Sequence, residues 1–167
     1  MWHFSGFQFD YAYYTVFDDR STHRGGYRRQ GLTGVLDRDV IPMALDFDAD
    51  PRGEFIFSIG YSADKDPDLR HCSMTNTEKY GLATYANLWL DDCAMTGGAS
   101  GGPWLVDVDR GGTGTLVSVN SWGFTDSAGM AGPVLRTEEG SWAECLYDVA
   151  KSARDPGEEG GIIVNHC

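Results

Sequence analysis

Residues 96–106 read Thr-Gly-Gly-Ala-Ser-Gly-Gly-Pro-Trp-Leu-Val, and this stretch decides how the rest of the chain is interpreted. Glycines on both sides of Ser100 allow positive φ and leave backbone N–H groups open to an approaching carbonyl. A serine hydroxyl is a weak nucleophile that needs a base and hydrogen-bond donors for the developing oxyanion. A flexible Gly/Ser linker is the competing interpretation. Because Pro103 leads directly into an apolar, strand-like run, we interpret Ser100 as a nucleophile.

Two downstream segments extend this pattern. Residues 115–123 read Thr-Leu-Val-Ser-Val-Asn-Ser-Trp-Gly and residues 130–135 read Met-Ala-Gly-Pro-Val-Leu, and both are typical of strands. Together with Gly-Ala-Ser-Gly-Gly-Pro at 98–103, they resemble the second barrel of trypsin-like, chymotrypsin-fold serine endopeptidases. The resemblance implies an all-β fold, a chymotrypsin-like antiparallel six-stranded Greek-key barrel with a C-terminal helix. Thr96 and Ala99 stand where many animal members have cysteine and aspartate, so the chain is closer to microbial and fungal members, including the glutamyl-endopeptidase-like group.

The resemblance also assigns roles to individual residues. It makes Ser100 the nucleophile, the N–H groups of Gly98 and Ser100 the oxyanion hole, and Asp10 the carboxylate that orients a catalytic histidine. Ala94 stands where enzymes that cleave after Arg or Lys have an aspartate, so we expect a medium or large uncharged side chain at the P1 position of the substrate. The implied substrate-binding residues are Ala94, Met95, Asn120, Ser121, Trp122, Gly123 and Gly132.

The general base is missing from this pattern. The resemblance places the histidine some tens of residues before the aspartate, but the chain starts only shortly before Asp10, and His3 lacks the expected sequence context. His23, His71 and His166 all follow Asp10 and are expected to be surface or structural histidines. We therefore expect an N-terminally incomplete chain, inactive as it stands, whose histidine lies upstream. A non-catalytic peptide-binding relative is the alternative.

A second hydrolase fold also fits the local motif. Gly-Ala-Ser-Gly-Gly at 98–102 satisfies the Gly-x-Ser-x-Gly nucleophile elbow of α/β-hydrolases, with Asp148 or Asp155 and His166 as the partners of Ser100. That elbow needs a helix after the serine, whereas the residues after Pro103 alternate as a strand. We therefore favour the β-barrel.

The remaining sequence predicts one β-rich core followed by a helix. We expect residues 1–50 to be a remnant of an N-terminal barrel with the interbarrel connection, and residues 51–167 to be the C-terminal barrel. Ser141 and Glu144 form a capping box that predicts a helix over 141–154. Strands are predicted at Phe7–Val16, Glu54–Tyr61, Cys72–Tyr80, Tyr85–Leu90, Pro103–Val108, Thr115–Trp122 and Met130–Leu135.

Charge and cysteines limit partners and compartment. The net charge of -12 argues against nucleic acid and anionic membranes as partners. The resemblance implies protein or peptide substrates, and we expect a monomer. Of the three possible pairings we favour Cys72 with Cys93, which leaves Cys145 and Cys167 either as a second pair or as free thiols; a disulfide would imply an oxidising, secretory compartment. No signal peptide begins at Met1. The acyl-transfer chemistry needs neither a metal nor an organic cofactor, and the aspartates within 46–50 are interpreted as a solvated turn.

Overall fold

The computed structural model describes residues 4–14, 41–65, 68–80, 86–137, 140–152 and 167. Short 3-10 helices occupy Phe4–Phe9 and Ala63–Lys65. The strands and the α-helix of the described part are β1 (Ala44–Leu45), β2 (Phe55–Tyr61), β3 (Leu69–Thr75), β4 (Thr77–Tyr80), β5 (Ala86–Asp91), β6 (Pro103–Val106), β7 (Thr115–Val119), β8 (Gly129–Gly132) and α1 (Ala143–Ser152).

The strands form two sheets. One sheet has five strands in the order β1-β7-β6-β2-β3, and the other has three in the order β4-β5-β8. All pairings are antiparallel except the two-residue pairing of β1 with β7, which is parallel. The predicted all-β fold with one C-terminal helix is confirmed, and the arrangement is consistent with a Greek-key barrel. The division into residues 1–50 and 51–167 stays a prediction.

An apolar core lies among the strands, and a disulfide bounds it. Ile56 on β2, Leu88 and Leu90 on β5, and Trp104 on β6 are fully buried. Burying each such side chain contributes roughly 1.5–3 kcal/mol. The predicted disulfide between Cys72 and Cys93 is confirmed and joins β3 to the loop that follows β5, and the second predicted pair, Cys145 with Cys167, is confirmed as well.

The predicted strand Phe7–Val16 is wrong over its described residues. A 3-10 helix ends at Phe9, and residues 10–14 pair with no strand of the described part. Alternating aromatic residues imitate a strand pattern here, but a strand also needs a partner for its backbone groups. Side-chain contacts hold this segment instead. The Asn87 Nδ2 group donates to the Phe7 carbonyl oxygen at 3.1 Å.

The predicted strand from Cys72 to Tyr80 is divided into β3 and β4 at Asn76. The Asn76 backbone N–H donates to the Glu54 carbonyl at 3.0 Å, and its Nδ2 group donates to the Glu54 and Pro51 carbonyls at 3.1 and 2.5 Å. These bonds tie the chain to the turn before β2, so the two strands join different sheets.

The helix begins later than predicted. Ser141 Oγ accepts a hydrogen bond from the Ala143 N–H at 3.2 Å, whereas the Glu144 carboxylate accepts from Thr137 Oγ1 at 3.2 Å. The predicted capping box is therefore only half formed. Trp142, directly before α1, is 57% exposed, and Ala143 is the buried residue of α1. The described residues include no helix of the length and apolarity that a bilayer crossing requires.

The aspartates of 46–50 shape a turn before β2. Asp46 Oδ1 accepts from the N–H groups of Asp48 and Ala49, both at 2.9 Å. Asp50 contacts Arg52 at 3.0 Å and Arg136 at 3.5 Å. Burial alone would raise the pKa of Asp50, but hydrogen bonds from Arg52 and the charges of both arginines hold that pKa below its ordinary value.

Candidate active site

The loop that carries Ser100 joins β5 to β6 and is shaped by its glycines. Gly98 has a φ of 99° and Gly101 a φ of 81°, conformations that L side chains rarely adopt. A Cβ at Gly98 would lie 2.9 Å from the Ala63 nitrogen and 3.0 Å from the Tyr61 oxygen. Glycine is therefore required at position 98 for both its backbone conformation and its packing.

Two backbone donors of the loop have no acceptor among the described residues. Ala99 N–H donates to the Thr96 carbonyl at 3.2 Å, and Gly102 N–H donates to the Ala99 carbonyl at 3.1 Å. Within the described part of the chain, the N–H groups of Gly98 and Ser100 donate to no acceptor. These two amides are the pair predicted to stabilise an oxyanion, and they remain able to bind one.

Ser121 lies between the two predicted catalytic residues. Its Oγ donates to Oδ2 of Asp10 at 2.5 Å, and its carbonyl oxygen accepts a long bond from Ser100 Oγ at 3.4 Å. Ser121 N–H donates to the Ala131 carbonyl at 2.9 Å, and Ala131 N–H donates to the Trp122 carbonyl at 2.6 Å. Residues 121 and 122 are thus fixed next to β8. Asp10 and Ser100 both contact Ser121, so the two residues lie beside it.

The segment that carries Asp10 is anchored to the start of α1. The Tyr11 hydroxyl lies 2.9 Å from Ser141 Oγ and accepts from the Trp142 N–H at 2.9 Å. The Tyr13 ring packs edge-on against Tyr147 of α1 with ring centroids 5.6 Å apart. Burial, with smaller contributions from Tyr11 and Tyr147, raises the pKa of the Tyr13 hydroxyl. Contacts with α1 and with residues 141–142 therefore hold the segment that carries Asp10.

A cavity of about 770 Å³ opens beside Ser100. Among the described residues its walls come from two chain segments, and Asp126, which is exposed, is the only charged side chain among these lining residues. The predicted residues Ala94, Met95, Ser121, Trp122 and Gly123 all line it. The lining residues that the sequence did not suggest include Phe124, Asp126, Ser127, Gly129 and Met130.

Two residues expected in the pocket lie elsewhere. Asn120 is only 2% exposed and lies behind the Ser100 loop. A Cβ at Gly132 would lie 2.5 Å from Ser118 Oγ, so Gly132 allows β8 to approach β7. Gly129 lines the cavity instead: its φ is 145°, and a Cβ there would lie 1.9 Å from the Trp89 ring. In the sequence, Gly129 stands directly before the predicted strand Met130–Leu135. This position is the signal that could have identified Gly129 as a residue of the cavity.

Aromatic side chains form one wall of the cavity. The Trp122 and Phe124 rings meet edge to face, with centroids 5.3 Å apart and planes at 86°. Trp89, which is buried, lies 5.7 Å from Trp122 and 5.8 Å from Phe124. Such contacts stabilise the position of the rings beyond simple burial. Ring contacts therefore hold the segment 121–124, which follows β7, against Trp89.

Comparison with known proteins places this fold among proteases. No protein-family model and no curated protein matches the chain. A solved structure of a thermostable serine protease, AL20 from an extremophilic microorganism, is 27% identical, with a TM-score of 0.50 over 64% of this chain and 49% of that one. The protease Anisep from Arthrobacter nicotinovorans is 32% identical, with a TM-score of 0.50 over 63% of this chain and 48% of that one.

The chain has a chymotrypsin-like protease fold. It spans about half the length of the two proteases that it matches.

Of the alternative partners of Ser100, only Asp148 is among the described residues, and it does not line the cavity beside Ser100. β6 follows the loop of Ser100, where a nucleophile elbow needs a helix. Asp148 on α1 pairs with Lys151 at 2.8 Å. Asp155 and His166 lie outside the described residues.

The predicted general base is also not among the described residues. His3, His23 and His166 lie outside them. His71, on β3, stacks on Phe57 with ring centroids 5.4 Å apart and does not line the cavity. The described residues hold no group of three or more His, Cys, Asp or Glu side chains that could bind a metal.

Proposed function

We propose that this chain is the nucleophile-bearing part of a trypsin-like serine endopeptidase that hydrolyses peptide bonds through an acyl-enzyme. One observation carries the proposal: Ser121 contacts both Asp10 and Ser100, next to a cavity and two unpartnered loop amides. In this assignment Ser100 is the nucleophile, Asp10 orients the base, and the N–H groups of Gly98 and Ser100 bind the oxyanion. The absence of cysteine and aspartate at Thr96 and Ala99 supports a relation to the microbial, glutamyl-endopeptidase-like branch.

The proposed reaction has two stages. Ser100 Oγ attacks the carbonyl carbon of the scissile peptide and forms a C–O bond, while its proton passes to a histidine. The carbon–nitrogen bond then breaks, and the histidine returns the proton to the leaving amine. Water hydrolyses the resulting ester with the same histidine as base. We propose that this histidine belongs to sequence that precedes Met1, in keeping with the length of the related proteases.

The substrate is proposed to be an extended peptide. Gly123 is exposed, and within the described residues its N–H and C=O groups make no backbone hydrogen bond, so a substrate strand can pair with them. Met95 and Met130 are buried in the cavity wall, and Phe124 adds an aromatic surface. These apolar walls favour a medium or large uncharged P1 side chain. Two disulfides support a secreted protein, which we propose acts as a monomer.

A second candidate is a non-catalytic peptide-binding module with the same fold. No histidine of the described residues contacts Ser100 or Asp10, and this observation favours it. Such a module would bind extended peptides along residues 121–123 without cleaving them.

Peptide hydrolysis distinguishes the two candidates. The chain is expressed with any coding sequence that precedes Met1 in frame and incubated with a peptide library, and the cleavage sites are read by mass spectrometry. Cleavage after uncharged residues that falls at least about a thousandfold in Ser100→Ala supports the protease. Ser73→Ala, on the exposed side of β3, is the control and should cleave normally. Peptide binding without cleavage contradicts the protease and supports the binding module.

A further inference from the structure

Asn120 is a buried amide whose hydrogen-bonding capacity is fully used. Its Oδ1 accepts from Ser58 Oγ at 2.8 Å and from Trp104 Nε1 at 2.7 Å. Its Nδ2 donates to the carbonyl oxygens of Ile59 and Ala99, both at 3.1 Å. An indole N–H can only donate, so the orientation of the Asn120 amide is fixed by its partners.

Asn120 also holds the loop on both sides of Ser100. The Nδ2 group binds the carbonyl of Ala99, the residue directly before Ser100. The Asn120 backbone accepts from the Gly101 N–H at 2.8 Å and donates to the Gly102 carbonyl at 2.8 Å, directly after Ser100. The Ala99 peptide whose oxygen is held is the same peptide that contains the Ser100 nitrogen. Fixing that oxygen therefore fixes the direction of the Ser100 N–H.

We propose that Asn120 is the positioning residue that keeps the Ser100 peptide turned toward the cavity. The role of Asn120 in catalysis rests on the proposed protease function, whereas its effect on the conformation of the loop does not. If the Ala99 peptide turned, its oxygen, the Gly102 N–H and one Nδ2 hydrogen would each lose a partner, and both Ala99 and Asn120 are buried. Unsatisfied buried groups of this kind are costly, so the loop keeps a single conformation before any ligand arrives.

A matched pair of substitutions tests the proposal. Asn120→Asp removes two donors to backbone carbonyls, and Asn76→Asp does the same elsewhere, because Asn76 is equally buried and also donates to two carbonyls. Amide hydrogen exchange at Gly101 and Gly102 is measured relative to the amides of β5. We expect Asn120→Asp to accelerate the loop amides about tenfold or more relative to β5, and Asn76→Asp to leave that ratio within about twofold.

A milder pair covers the case in which Asn120→Asp does not fold. Ser58→Ala removes one donor to Asn120 Oδ1, and Ser118→Ala removes a fully buried hydroxyl that donates to the Pro133 carbonyl at 2.7 Å. Ser58→Ala should accelerate exchange of the loop amides about threefold relative to β5, and Ser118→Ala should not. Equal loop-to-β5 ratios in the two members of each folded pair overturn the proposal.

Labelling of Ser100 by a fluorophosphonate separates this proposal from the protease assignment. If the wild-type protein labels, the rate should fall in Asn120→Asp or Ser58→Ala and stay unchanged in the matched controls, and an equal rate within a pair contradicts a positioning role. If the wild type, expressed with any coding sequence that precedes Met1 in frame, does not label, the protease assignment fails, while the exchange ratios still decide whether Asn120 holds the loop.

Discussion

The Ser121 hydroxyl donates to the Asp10 carboxylate at 2.5 Å, although the two residues are 111 positions apart in the chain. Hydrogen bonds to ionised carboxylates are shorter and stronger than neutral ones. The bond fixes one oxygen of Asp10 beside the strand end whose carbonyl contacts Ser100. The other oxygen remains to orient the base in the proposed mechanism.

Removing this hydroxyl should impair reactivity without unfolding the protein. We expect Ser121→Ala to lower the rate of Ser100 labelling about tenfold, because the exposed Asp10 carboxylate loses the hydroxyl that holds it in place. Thermal unfolding should change little. Ser73→Ala is the control. An unchanged labelling rate in Ser121→Ala would show that the Asp10 contact has no role in the reaction.

Tyr11 should matter through the segment that it anchors. Tyr11→Phe removes the hydroxyl that contacts Ser141 and Trp142, and we expect a loss of roughly 0.5–1.5 kcal/mol in the free energy of unfolding. Denaturant unfolding measures this loss. Tyr14→Phe, at a side chain that is 90% exposed, is the matched control and should be neutral. Equal stabilities of the two variants contradict the anchoring role.

Gly98 should tolerate no side chain. Gly98→Ala combines a φ of 99° with a Cβ 2.9 Å from the Ala63 nitrogen, so the loop must shift and move its amide. Gly53 has a similar φ of 76° but open space around its Cβ position. We expect Gly98→Ala to abolish Ser100 labelling and Gly53→Ala to cost only stability, on the order of 1 kcal/mol. Normal labelling of Gly98→Ala would contradict the assignment of the Gly98 N–H to the oxyanion hole.

Alkaline pH should destabilise the fold partly through Tyr13. Burial raises the pKa of Tyr13, so its hydroxyl stays protonated in the folded protein while it ionises in the unfolded chain above about pH 10. The unfolded state then binds fewer protons, and the free energy of unfolding falls as pH rises. Tyr13→Phe should lose less stability than wild type between pH 10 and 12, whereas Tyr14→Phe should follow the wild-type curve. Parallel curves for all three proteins contradict this assignment.

The sequence could predict the features that depend on local composition. The glycines around Ser100 predicted a turn with open amides, and two cysteines that flank strands predicted the Cys72–Cys93 disulfide, whereas Cys145–Cys167 followed only as the remaining pair. The strand expected at Phe7–Val16 was wrong over its described residues. Alternation of apolar and polar side chains indicates that a segment has two different faces, but it does not show that a partner strand exists. The resemblance placed Asn120 in the pocket, but the side chain is buried behind the Ser100 loop. The sequence does not reveal which buried groups surround a side chain.

Labelling by a fluorophosphonate tests the central claim most directly. The chain is expressed with any coding sequence that precedes Met1 in frame, treated with the reagent, and digested for mass spectrometry of the peptides. The account predicts one adduct, on Ser100, that is lost in Ser100→Ala and in the heat-unfolded protein. A folded protein that takes up no label, or that carries it on another residue, would contradict the account.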